Sequence, residues 1–148
     1  MKKIFTVSII SLSLVCLLTG CSSKKTLTCT ISEDTNSMLS MSQTVNAVFS
    51  GSKVTNLNQN IKMTVNDEYT SYIDQMADGV RNQYADIKDK AGVEFDVKVT
   101  DNVIDTTLNA ELAKLDDETK NKLKITNYDS VNYEDAKKEL EELGYTCK

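Results

Sequence analysis

The 148-residue chain has no histidine, no proline and only five glycines. Without histidine there is no Ser-His-Asp or Cys-His nucleophile system and no imidazole ligand for a metal. The glycines stand at 20, 51, 79, 92 and 144, too scattered for a GxGxxG or GxxxxGK[ST] phosphate loop. No CxxC pair occurs, which removes the common dithiol redox motif. With neither proline nor a glycine-serine stretch there is no composition-marked linker. Neither heptads nor a repeat of 20 to 50 residues appears, so coiled coils and solenoids are excluded.

One long apolar run is present, and it lies at the start. Lys2 and Lys3 precede Ile4 to Leu18, which is interrupted only by Thr6, Ser8, Ser11 and Ser13. A helix of that length spans about 22 Å, short of the roughly 30 Å hydrocarbon core, so the run reads as a signal peptide rather than a permanent span. It ends in Leu18-Thr19-Gly20-Cys21. This tetrad resembles the lipobox of bacterial lipoproteins, in which the cysteine is acylated and becomes the new amino terminus. Residues 1–20 are thus expected to be removed, with Cys21 as the lipidation site, 21–25 as lipidated anchor and short linker, and 26–148 as a single domain. The expected location is the outer face of the cell membrane, or the outer membrane of a Gram-negative source, with the lipid bilayer as partner through the acylated end.

Without Lys2 and Lys3 the remaining chain carries 15 basic against 22 acidic residues, a net charge of about −7. That balance disfavours nucleic acid and anionic lipid surfaces, whose binding relies on basic patches. Two cysteines remain beyond Cys21, Cys29 and Cys147. Outside the cytoplasm an even pair is expected to form a disulfide, and here only one pairing exists. It would close a loop of about 119 residues and contribute roughly 4 to 5 kcal/mol at most. Two free, buried thiols are the alternative.

Apolar residues alternate over 25–32 (Leu27, Cys29, Ile31), over 39–49 (Leu39, Met41, Val45, Ala47, Phe49) and over 54–65 (Leu57, Ile61, Met63, Val65). Turn signals at 32–37 and Gly51-Ser52-Lys53 separate the three stretches, which predicts an antiparallel meander. The period then becomes 3.6: Tyr69, Tyr72, Ile73, Met76, Val80, Tyr84 and Ile87 mark one face of a helix from about 67 to 90, N-capped by Asn66 and ending near Gly92. "VEFDVKV" and residues 103–112 predict a second hairpin, and "LDDETKNKLKIT" a helical turn. A short helix capped by Asn132 presents Ala136, Leu140 and Leu143 and ends at Gly144. The fold class is α+β: a two-layer sandwich with an antiparallel sheet of about five strands packed against one long and one short helix.

"YADIKDKAGVEFDVKVTDNVIDTTLN" and "EDAKKELEELGY" resemble the YehR-like small bacterial lipoproteins. The resemblance implies a lipid-anchored α+β domain and supplies no catalytic residues.

No catalytic residue, metal ligand or cofactor is expected. Glu94 and Asp96 share a strand face at a spacing that paired carboxylates can use, yet with Lys98 and Thr100 they form the solvated face opposite Val93, Phe95, Val97 and Val99. The acidic runs 116–118 and 101–105 lack the alternating ligands and closing Glu of a calcium loop and are read as solvated turns. Tyr69, Tyr72 and Tyr84 are read as core rather than as a ligand groove. The function expected is a non-enzymatic, membrane-anchored binding or accessory module for an envelope protein or small ligand. The alternative is a hydrolase using acidic side chains on envelope polymers, since paired carboxylates suffice for glycosidic chemistry.

Overall fold

Alternation of apolar and polar residues, broken at positions such as Val48 and Gln59, builds the sheet and makes its two faces chemically distinct. The structure is a computed structural model that describes residues 23–34, 38–125 and 131–148. The strands are β1 (Lys24–Asp34), β2 (Leu39–Ser50), β3 (Lys53–Val65), β4 (Val93–Thr100), β5 (Val103–Glu111) and β6 (Thr146–Cys147). Their order is β4-β5-β3-β2-β1-β6, with every neighbouring pair antiparallel. The predicted meander and second hairpin are present, joined edge to edge through β3 and β5. A sixth strand, two residues long, adds to the five expected.

Three helices cover one face. α1 (Ile73–Gln83) continues a 3₁₀ helix over Asp67–Tyr72, so the long helical segment has 17 residues. α2 (Asp117–Lys122) and α3 (Tyr133–Glu142) follow. Asn132 accepts a hydrogen bond from the Asp135 amide at 3.0 Å, the N-cap expected from sequence. Asp116 caps α2 in the same way, accepting from Thr119 N at 2.7 Å. Asn66 also precedes its helix, but its side chain makes no capping hydrogen bond.

The predicted long helix ends early. Regular α structure stops at Gln83, and residues 84–91 run as successive turns. Amides of Ala85, Ile87 and Lys90 bond the carbonyls three residues back, at Asn82, Tyr84 and Ile87. Tight three-residue turns keep Tyr84 and Ile87 on one side, so the apolar spacing persists after the α-helix has ended. Two expected face residues also lie outside the core: Tyr72 is 53% exposed and Leu143 65%. At about 100° per residue Tyr72 sits at the margin of a stripe centred on Ile73 and Val80.

The buried residues form two clusters. Val65, Ile73, Ala77, Val97 and Ile104 pack beneath α1. Leu27, Cys29, Ala47, Phe49, Val93, Leu108, Ala110, Leu115 and Ile125 belong to the larger one. Aromatic contacts tie helical segments to the sheet there: Phe49 meets Tyr133 edge-on at 5.4 Å, and Tyr84 stacks on Phe95 at 4.7 Å.

Candidate functional site

The helices do not close completely over the sheet. Between them and the inner face of β1, β2, β3 and β5 lies a cavity of about 930 Å³. From the sheet, Leu27, Val45, Ala47, Phe49, Leu57 and Leu108 supply its apolar wall. These residues share a face because their strands pair Leu27 with Ala47, Ala47 with Leu57, and Gln59 with both Val45 and Leu108. Tyr84 and Ile87 come from the turns after α1, and Leu140 and Leu143 from α3 and its end. Leu143, 65% exposed, stands at the margin of this lining.

The polar residues of the described lining are Asn58 and Gln59 from β3 and Gln83, Asp86, Lys122, Lys124 and Glu139 from the helical side. Lys122 Nζ lies 3.1 Å from Asp86 Oδ2 and 3.4 Å from Glu118 Oε1. The hydrogen bond from Lys122 to Asp86 holds the amine above its ordinary pKa. Lys124 makes no side-chain ion pair or hydrogen bond among the described residues.

The opposite face of the sheet is flat and polar. Thr28 donates to Asn46 at 2.7 Å, Asn46 donates to Asn58 at 3.2 Å, Asn58 donates to Asn109, and Asn109 donates to Glu94 at 3.1 Å. These five residues occupy one cross-strand row from β1 to β4. Each amide uses both a donor and an acceptor on its neighbours, so the row knits the exposed face together. Next to it, Asn60 donates to Asp105 at 2.6 Å.

Most acidic residues singled out in the sequence have ordinary structural partners. Glu94 ends the asparagine row, and Asp96 lies 3.1 Å from Lys98 Nζ, both across the sheet from the cavity. Asp116 caps α2, and the hydrogen bonds from Thr119 hold its carboxyl below the usual value. Asp105 accepts from Asn60 and faces Lys62 at 3.8 Å. Among the described residues no cluster of three or more His, Cys, Asp or Glu side chains is placed to hold a metal ion. The tyrosines divide: Tyr69 packs on the cluster under α1, Tyr84 lines the cavity, and Tyr72 faces solvent.

Cys29 and Cys147 are directly opposed across β1 and β6, with Cα atoms 4.1 Å apart and sulfurs at 2.00 Å, disulfide bonding distance. The separation fits the closer kind of antiparallel pair, because the neighbouring Thr28 and Lys148 exchange the backbone hydrogen bonds. Cys21 lies outside the described residues. Among those that are described, no helix is long and apolar enough to cross a membrane.

The cavity itself had one mark in the sequence, a glutamine at position 59 where the alternation of β3 calls for an apolar side chain.

No family model matches the chain, and no curated protein is similar to it in sequence. Two solved structures share its fold. An NMR structure of a protein from Streptococcus pneumoniae TIGR4 is 17% identical, with a TM-score of 0.59 over 85% of this chain and 86% of that one. The NMR structure of E. coli YehR is also 17% identical, with a TM-score of 0.58 over 84% of this chain and 92% of YehR. At that identity the likeness establishes the fold alone, and it is the fold that the YehR-like resemblance implied.

Proposed function

We propose that this chain is an extracytoplasmic lipoprotein, tethered to the membrane through acylated Cys21, whose domain serves as a non-enzymatic binding module. The cavity of about 930 Å³ between sheet and helices carries the binding part of this reading. Ligand sites are concave, mainly apolar and roughly 300 to 1,000 Å³, with a few polar groups at the edge. The tether rests on the lipobox behind its apolar run. A hydrolase would need two carboxylates converging across a cleft, and the cavity favours binding instead. Of the two carboxylates in its described lining, Asp86 is held 3.1 Å from Lys122 and Glu139 comes separately from α3, while the Glu94–Asp96 pair sits on the far face of the sheet.

Labelling of growing cells with palmitate tests the tether. Cys21→Ala should abolish incorporation and leave the protein unprocessed or released from the membrane, because stable anchoring needs more than one acyl chain. Equal labelling of variant and wild type would overturn the assignment.

A further inference from the structure

We propose that the cavity binds a single-chain anionic amphiphile, a long-chain fatty acid taken up from the bilayer beside it. The inference deepens the binding-module reading and rests on it for the source of the ligand. The walls set the chemistry of the tail. Leu57 and Leu140 are partly exposed aliphatic residues of the lining, and the wall of Leu27, Ala47, Leu57 and Ala110, in register across β1, β2, β3 and β5, spans three strand spacings, about 14 Å. Water gains little there, since an ordered water needs two to four polar partners and, of the two polar residues the sheet contributes to the described lining, Asn58 is engaged by Asn46 and Asn109, which leaves Gln59. An alkyl chain needs none.

The rim sets the head group. Lys122 is occupied by Asp86 and Glu118, whereas Lys124 two residues on has no side-chain partner among the described residues. A carboxylate reaching Lys124 gains a charge-assisted hydrogen bond that no other described lining residue supplies to this amine. Glu139 lies on the lining from α3 and would repel an anion placed near it, so the two rim charges predict opposite effects on binding.

The position of the tether sets the source. Three residue steps from Cys21 to Lys24 span at most about 11 Å. Lys24 pairs with Ser50 and Lys25 with Phe49, so the tethered end of the sheet carries two lysines on β1 next to the cavity residue Phe49. A basic edge held that close to the membrane favours anionic amphiphiles over neutral ones.

The described elements begin at Lys24, so residues 21–148 with Cys21→Ser retain the whole described fold and permit a test free of the lipid anchor. Cis-parinaric acid titrated into this protein should show saturable fluorescence with one site per chain. Palmitate should displace it, with hexadecanol and hexadecylamine each weaker by about tenfold or more, the loss of one charge-assisted contact. Lys124→Gln should weaken palmitate about tenfold and leave hexadecanol unchanged, while Glu139→Gln should strengthen palmitate. Ala136→Trp fills the cavity from α3 and should abolish binding, and Leu57→Phe provides the same test from the sheet, with thermal melts confirming that each variant is folded. Absence of saturable parinarate binding overturns the proposal, as does unchanged affinity in both folded cavity-filling variants. Stronger displacement by hexadecylamine than by palmitate overturns the anionic head. None of these outcomes depends on Cys21, so failure of palmitate labelling in cells and failure of fatty-acid binding in solution are separate results.

Discussion

At the scale of single residues, glycine shows how backbone and space act separately. Gly92 has φ +82° and approaches the next segment so closely that a Cβ would lie 2.7 Å from the Lys114 Cβ and 2.9 Å from the Glu111 carbonyl oxygen. Its own carbonyl accepts from the Glu111 amide at 2.7 Å, so the contact cannot open without breaking the β4–β5 end. Gly92→Ala combines the φ > 0 penalty with overpacking and should cost about 2 to 4 kcal/mol. Gly79 lies exposed in the middle of α1, and a Cβ there would meet nothing within 4 Å. Gly79→Ala should stabilise by about 0.5 to 1 kcal/mol, the helix-propensity difference. Urea melts of the two variants check the contrast, and a neutral Gly92→Ala would mean the two segments separate easily. Residue patterns were legible where one side chain decides the outcome, as with the Asn132 cap or the Val93, Phe95, Val97, Val99 face. The cavity was not legible in this way. It is defined by volume that side chains leave unfilled, and alternation reports which face is apolar without reporting what covers it.

Among the elements, α1 and its 3₁₀ lead-in carry the packing of the β4–β5–β3 corner. Arg81 fastens this segment from outside, donating to the Val97 carbonyl at 3.3 Å and to Asp78 at 2.8 Å. Ile73 is buried among Val65, Val97 and Ile104. Ile73→Ala should therefore cost about 2 to 5 kcal/mol through lost burial and the cavity left behind. Asp74 and Asp78 are exposed, and Ala at either should change stability by no more than about 0.5 kcal/mol, since an exposed ion pair contributes little. Thermal denaturation settles the comparison: an Ile73→Ala melt equal to wild type would show that the stripe is not core. The existence and face of this helix followed from period 3.6, but its end did not. Turns that close over three residues, and over four from Lys88 to Tyr84, preserve the apolar side beyond Gln83, and a pattern of apolar spacings is blind to which closure each turn uses. β6 was missed for a related reason. Two residues are too few to show a period, and what defines Thr146–Cys147 as strand is pairing with β1, a contact 118 positions away in sequence.

On the scale of the whole molecule, that distant pairing adds the last strand to the sheet. Its two outer strands are β4 and β6. β4 protects its edge with Glu94, Asp96 and Lys98, charges that discourage pairing with another chain. On the other side β6 covers β1 over only Cys29 and Thr30, with a flanking pair of backbone hydrogen bonds between Thr28 and Lys148 at 3.2 and 2.9 Å. Two residues of ladder are too short to hold by themselves, so the contact depends on the Cys29–Cys147 link and on α3, which packs on both β1 and β6. Cross-linking residues this far apart restricts the unfolded chain strongly, and loss of such a bridge is expected to cost about 2 to 5 kcal/mol. The oxidised domain should migrate faster on a non-reducing gel and melt higher than its reduced form. Reduction should also release β6 before the sheet unfolds, so the Thr28 and Lys148 amides should lose hydrogen-exchange protection while Leu57 and Leu108 in the central strands keep theirs. The uncovered β1 edge should then promote association, visible as light scattering that rises with protein concentration. Two alkylatable thiols at 29 and 147 in native protein taken from the cell would show that the chain ends are not bridged there. In that case the attachment of the last strand would rest on the packing of α3.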